Sequence, residues 1–280
     1  DLCRPLIAHK KILNLWHGVP LKKIVYDVSK PGFLERFQDI FFRDTRVLYT
    51  SRNYYEIYKR CFGKDDNHLF LCGQPRNDVF YDSSLIDQSA LKKFKDIVGN
   101  GSIVLYMPTH RHEGKDKLNL DRRIDFKRLE RFCECHGVKF VIKKHFYHLS
   151  EPLVKGFRNI HDISDRDFDA QFLLSQAYIL LTDYSSCYVD YLLREKPVIF
   201  FQYDKEQYMR NERNFYYDNE LIQPGPVVET YDQLEEALEQ VEKGYSSSQI
   251  DKIIIAKDFF YESAFQKRTS GIVWKYIKDM

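Results

Sequence analysis

The sequence has 280 residues, 44% hydrophobic and 15% aromatic, which excludes a disordered chain and leaves room for two domains, each with its own core. Lys and Arg number 43 against 41 Asp and Glu, a formal charge of +2, so net charge demands no nucleic acid or other polyanion and any basic site must be local. No run approaches the ~18–20 apolar residues needed to span a bilayer. Cys3, Cys61, Cys72, Cys133, Cys135 and Cys187 are dispersed without a Cys-x-x-Cys pair, which argues against zinc and a disulfide scaffold and fits a reducing cytoplasm.

In chain order, Lys11 to Trp16 reads as a short strand followed by the loop His17-Gly18-Val19-Pro20-Leu21-Lys22-Lys23. Arg46 to Ser51 is a second strand leading into a helix from Asn53 to Cys61, and His68 to Cys72 a third, ending in the turn Gly73-Gln74-Pro75-Arg76-Asn77-Asp78. A polar stretch near Tyr81 to Ser89 marks a boundary, giving expected domains of 1–85 and 86–280. The second opens with a helix from Leu91 to Val98 and a strand from Ile103 to Met107. A helix from Asp125 to Cys135, a strand from Val138 to Lys143 and a helix from Phe168 to Ala177 follow. Next come a strand from Tyr178 to Leu181, a helix from Cys187 to Arg194 and a strand from Val198 to Phe201. Helices from Tyr231 to Lys243 and from Ala264 to Lys278 close the chain. Strands alternating with helices imply α/β architecture, a parallel sheet covered on both faces, with ligands beyond the carboxyl ends of the strands. The chain opens at Asp1 with a motif-bearing strand almost at once, so it is expected to be the C-terminal portion of a longer protein whose first domain is incomplete here.

The polar residues at those strand ends suit phosphate. Thr182, Asp183, Ser185 and Ser186 fall where a helix begins, and its first N–H groups and the hydroxyls can face an anion; the competing reading is plain helix capping. Arg111 offers a planar fork for two phosphate oxygens, against a surface ion pair. His17, in a loop whose Gly18 admits close backbone approach and whose Lys22 and Lys23 follow, is a candidate base, against a packing or surface histidine. The strand from Val138 delivers His145, with His148 three residues on, and spacing does not choose between them. No acidic or cysteine ligand accompanies them at metal spacing, and no glycine-rich phosphate loop is present.

Taken in order, Trp16-His17-Gly18-Val19-Pro20-Leu21-Lys22-Lys23, Gly73-Gln74-Pro75-Arg76-Asn77-Asp78, Tyr106-Met107-Pro108-Thr109-His110-Arg111, Ile142-Lys143-Lys144-His145 and Thr182-Asp183-Tyr184-Ser185-Ser186 resemble the CDP-glycerol glycerophosphotransferase family of teichoic-acid and capsule-polymer enzymes. Glu195-Lys196-Pro197-Val198 with Tyr203-Asp204, and Asn214-Phe215-Tyr216-Tyr217-Asp218 with Pro224-Gly225-Pro226-Val227, extend the likeness over about residues 10 to 230. The resemblance implies a glycosyltransferase-B-like fold of two Rossmann-like domains, with residues 1–85 the tail of an acceptor-side domain and 86–280 the nucleotide-binding one. It implies attack of an acceptor hydroxyl on the β-phosphorus of CDP-glycerol or CDP-ribitol, releasing CMP, with no further cofactor required.

By the same resemblance His17 is the base, His145 a pyrophosphate-binding or leaving-group residue, and Gly18, Lys22, Arg111, Thr182, Asp183, Ser185, Ser186 and Asp190 the donor-binding set. The implied acceptor is a lipid-linked or growing polymer, at the cytoplasmic side of a bacterial membrane, with no nucleic-acid partner. The pairs Lys10-Lys11, Lys22-Lys23 and Lys143-Lys144 would suit an anionic membrane or polymer. His110 and Phe146 stand where the family usually has a bulky aromatic and a proline, respectively. Two other readings compete: a nucleotide-sugar glycosyltransferase of the same fold, and a non-catalytic nucleotide- or polymer-binding relative.

Overall fold

The computed structural model describes residues 11–28, 44–111, 116–151, 153–211, 214–218 and 222–280; Cys3 and Lys10 lie outside these. The chain divides into two compact units, one of Asp1–Tyr81, Arg213–Asp218 and Asp258–Met280, the other of Asp82–Glu212 and Asn219–Lys257. All the named strands pair in parallel, the expected α/β class.

In the first unit, β1 (Leu13–Asn14), β2 (Arg46–Tyr49) and β3 (Leu69–Leu71) lie in the order β1-β2-β3. Buried Leu48, Cys72 and Val273 pack together, flanked by Leu13, Leu15, Phe70 and Phe265. Val273 belongs to the helix Ser270–Asp279, which sequence reasoning assigned to the second domain. Its place is set by contacts within the first unit. Asp78 accepts from the backbone N–H groups of Thr269 (2.7 Å) and Ser270 (3.0 Å), Phe70 stacks on Tyr276 at 3.6 Å, and Arg46 donates to the Tyr276 hydroxyl. The same carboxylate explains why the single helix expected from Ala264 to Lys278 is two pieces, a short 3-10 turn Ser263–Phe265 and the helix Ser270–Asp279: Asp78 satisfies the orphan donors at the second start.

The second unit holds a six-stranded sheet of β4 (Ser102–Tyr106), β5 (Val138–Ile142), β6 (Ile160–Asp162), β7 (Ile179–Thr182), β8 (Val198–Phe201) and β9 (Val227–Val228), ordered β6-β5-β4-β7-β8-β9. Burial on both faces explains the nearly unbroken apolar runs of β4, β5, β7 and β8. On one face Val104, Tyr106, Phe140, Ile142, Leu181 and Phe201 pack with Leu129 and Phe132 of the helix Phe126–His136 and Leu234 and Leu238 of the helix Tyr231–Glu242. On the other, Phe200 meets Tyr188 edge-on at 5.0 Å, and Phe94 meets Phe168 and Phe172. Helix starts are capped by Asp87, Asp125, Asp169 and a Thr230–Gln233 capping box.

This order is that of a dinucleotide-binding sheet: the chain builds outward through β4, β5 and β6, then returns to the centre and builds the other way through β7, β8 and β9. The reversal falls between β4 and β7, and in sheets of this order ligands bind beyond the carboxyl ends of the strands at such a point.

Candidate active site

The predicted residues divide between the units. His17, Gly18 and Lys22 lie in the first; Arg111, His145, Thr182, Asp183, Ser185, Ser186 and Asp190 lie in the second.

In the first unit the loop after β1 presents His17 exposed to solvent, its ring 4.5 Å from that of Trp16. Trp16 has φ of 52°, a left-handed conformation unusual for a bulky residue, and its N–H donates to Asn14 Oδ1. Gly18, at φ 145°, takes a backbone geometry that side chains disfavour. Two other motifs brace this loop. Gln74 donates to the Leu15 carbonyl at 2.8 Å, and the segment 214–218 lies along Leu21 to Lys23, with Lys23 N–H donating to Asn214 and Tyr216 N–H to Leu21. Lys22 is half-buried and bridges to Phe215. The Tyr216 hydroxyl, which accepts from Ile24 N–H, donates to Asp27, itself clamped by Arg60 at 2.7 and 3.0 Å.

In the second unit the strand-end loops are joined by a buried charge cluster. Arg111, 5% exposed, donates through Nε and Nη2 to Asp204 (2.6 and 3.1 Å), pairs through Nη2 with Asp183 (2.8 Å) and donates through Nη1 to the Thr109 carbonyl. Tyr184, Tyr203 and Tyr208 surround the guanidinium at 5.1 to 5.4 Å, and Tyr184 and Tyr208 stack at 3.7 Å. Burial opposes its charge, yet Asp183 and Asp204 hold its pKa well above the usual value. Asp183, fully buried, accepts from the Thr109 N–H and hydroxyl and from Tyr184 N–H. Arg111 and Asp183 therefore connect the loops after β4, β7 and β8, and the guanidinium is directed into the protein. Thr182 is inward too, its hydroxyl donating to the Met107 carbonyl, and Asp190 accepts from Gln171.

Ser185 and Ser186 remain partly exposed where the chain enters the short helix Cys187–Tyr191; Ser185 Oγ accepts from Cys187 N–H at 3.3 Å, and Ser186 makes no side-chain cap. The structure distinguishes the two histidines that spacing left level. His148 is 1% exposed, Nε2 accepts from Arg111 N–H, and Nδ1 lies 2.6 Å from Glu151. One ring nitrogen must accept and the other donate, so His148 is a neutral strut with its proton on Nδ1. His145 is only half-buried; burial, then His110 and His148, push its pKa down to about 4, so it is neutral near pH 7. Its ring neighbours are His110 at 4.9 Å, Phe146 at 4.3 Å and Tyr147 at 5.0 Å. Lys144 is buried against Asp162, and Lys143 donates to the Arg166 carbonyl, so this pair is not an open basic patch. Asp204, Thr109 and Tyr208 were missed as members of the cluster; the one sequence signal was the position of Asp204 just beyond a strand.

Residues 7–277 match the family described as CDP-Glycerol:Poly(glycerophosphate) glycerophosphotransferase. The chain belongs to this family. A teichoic acid poly(ribitol-phosphate) polymerase of Bacillus spizizenii is 30% identical over 94% of this chain and 42% of its own length. A teichoic acid ribitol-phosphate polymerase, TarK, of Staphylococcus aureus is 28% identical over 90% of this chain and 50% of its own, and a teichoic acid poly(glycerol phosphate) polymerase of Staphylococcus epidermidis 29% over 99% and 40%. The chain thus spans half the length or less of these glycerophosphotransferase-family relatives. A solved structure of the wall teichoic acid polymerase TagF superposes with a TM-score of 0.74 at 24% identity, covering 96% of this chain and 69% of that one, which shows a shared fold.

Proposed function

We propose that the protein transfers glycerol phosphate or ribitol phosphate from a CDP-activated donor to a hydroxyl of a lipid-linked or growing polymer, releasing CMP, in teichoic-acid or capsular polymer synthesis at the inner face of the membrane. The observation that carries this reading is the family match over residues 7–277, which contains both His17 and His145. In this reading the acceptor oxygen forms a bond to the β-phosphorus as the bond to the CMP phosphate breaks. His17, solvent-exposed on its loop, takes the hydroxyl proton. His145 follows β5, and Ser185 and Ser186 follow β7, the two strands on either side of β4; these three residues supply hydrogen-bond donors to the diphosphate. A bound diphosphate raises the His145 pKa from its low ligand-free value, which suits it to return a proton to the departing CMP. Gly18 and Lys22 shape the acceptor side, while Arg111, Thr182, Asp183 and Asp190 support the donor loops from within.

The test is CMP release by the full-length protein given CDP-glycerol or CDP-ribitol and a polymer or membrane acceptor, beside His17→Ala and His145→Ala. Acceptor-dependent release that both substitutions reduce by about 10²-fold or more supports the reading and identifies the polyol. Release only from nucleotide sugars, or nucleotide binding without any turnover, overturns it.

A further inference from the structure

The helix Ser270–Asp279 buries Val273 and stacks the face of the Tyr276 ring on Phe70 of the first unit's sheet, and turns another face outward. On that face Trp274 is 59% exposed and Ile277, three residues on, 42% exposed. Lys278 lies over the Trp274 ring at 5.2 Å, and Lys275 is exposed beside it. Lys267 and Arg268, also exposed, stand just before the helix. From Ser263 to Met280 the chain carries Lys267, Arg268, Lys275 and Lys278 against Asp279 alone, in a protein whose charges otherwise nearly balance.

We propose that this face is a docking surface for an anionic lipid bilayer. It deepens the membrane placement proposed above and rests on it for location, not for chemistry. Two features select this partner. The cations match the surface potential of anionic headgroups, each Lys or Arg near such a surface contributing about fivefold in binding. A soluble polyanion would meet the same charges, but it offers nothing for an exposed indole and isoleucine. The headgroup–acyl boundary does, because an aromatic ring with a polar edge, flanked by lysines whose stems are apolar, partitions there. A ten-residue helix cannot cross the bilayer; this one lies flat on it.

The experiment is co-sedimentation of the whole protein with vesicles of phosphatidylcholine alone or mixed with phosphatidylglycerol, at low and high salt, with Trp fluorescence recorded. The expected result is salt-sensitive binding to the mixed vesicles with a blue-shifted emission. Lys275→Glu with Lys278→Glu should weaken it at least about tenfold, and Trp274→Ser with Ile277→Ser should abolish the shift and weaken binding. Lys92→Glu with Lys93→Glu, an equal charge change on exposed positions of the helix Gln88–Val98, should have a much smaller effect. Binding unchanged by either C-terminal pair, or lowered equally by the Lys92/Lys93 control, overturns the proposal. So does binding to soluble polyphosphate that needs the lysines but not Trp274. Melting curves confirm that the variants fold, and CMP release from soluble substrates fails independently of vesicle binding, which separates this proposal from the catalytic one.

Discussion

Replacing Arg111 and Asp204, singly and together, decides whether the guanidinium is a strut or a phosphate ligand. The side chains of Arg111, Asp183 and Asp204 are 6%, 0% and 11% exposed, so water cannot replace a lost partner. Removing one member of a buried ion pair costs about 3–5 kcal/mol. Asp204→Ala leaves Arg111 its contact with Asp183 and belongs at about 3 kcal/mol, whereas Arg111→Ala strands two buried carboxylates and belongs near about 5. At roughly 2–4 °C per kcal/mol for a unit of this size, the melting temperatures fall by about 6–12 and 10–20 °C. Residues that act as one network are not additive, so the double variant should lose about 1–3 kcal/mol less than the sum. The assay is thermal melting of the second unit's transition in the whole protein, with calorimetric titration of CDP and cytidine on variants held well below their transitions. Additive losses would refute the strut. So would an Arg111→Ala variant that melts within a degree or two of the parent but loses CDP affinity far more than cytidine affinity, the signature of a diphosphate ligand.

Three further outcomes follow from single contacts. His145, lowered from the usual 6.5 to about 4, stays neutral in the folded protein while the unfolded chain takes up a proton. Its stabilising contribution is complete above about pH 6.5 and is lost as the pH falls toward 4, and the lowered values of His148 and His161 act in the same direction. A ring-proton NMR titration should place its midpoint near 4 without ligand and higher with CDP; a ligand-free midpoint near 6.5 contradicts this. At Gly225 an added Cβ would sit 1.8 Å from the Val198 carbonyl oxygen, so Gly225→Ala must displace the β8–β9 edge, and faster amide exchange at Phe200 and Gln202, which donate to Pro226 and Val228, reports it. Asp78→Ala removes the acceptor for Thr269 and Ser270 and should cost the first unit about 1–3 kcal/mol, read as an earlier melt and loss of protection along Ser270–Asp279.

Of the strands that sequence identified, β4, β5, β7 and β8 are the clearest, because an apolar run buried on both faces leaves its mark on every residue. β1, β2 and β3, also identified, are shorter than the spans read for them, and β1 and β3 are only partly buried. β6 escaped because two of its three residues, His161 and Asp162, are polar; its place comes from pairing with β5, which no local pattern encodes. The helix Ser247–Phe260 escaped because its apolar residues do not gather on one stripe.

The site divides on the same principle. Residue type and position at a strand end are local, and they marked Arg111, Asp183, the serines and the pair His145 and His148 without choosing between the two histidines. Partnership is not local: Asp204 meets Arg111 across 93 positions, and His148 is distinguished from His145 by its burial and by its contacts with Arg111 N–H and Glu151. That distinction has a chemical consequence. A strand-end crevice that binds a diphosphate must keep its loops fixed without filling the crevice with their own charges. Here the loops are fixed by Arg111, Asp183, Asp204 and His148, whose polar atoms are turned toward one another. His145, Ser185 and Ser186, more exposed than that cluster, carry no formal charge in the ligand-free state near pH 7, so in the proposed reaction selectivity for an anion at this unit would rest on directed hydrogen bonds and on a proton gained by His145 beside the bound anion.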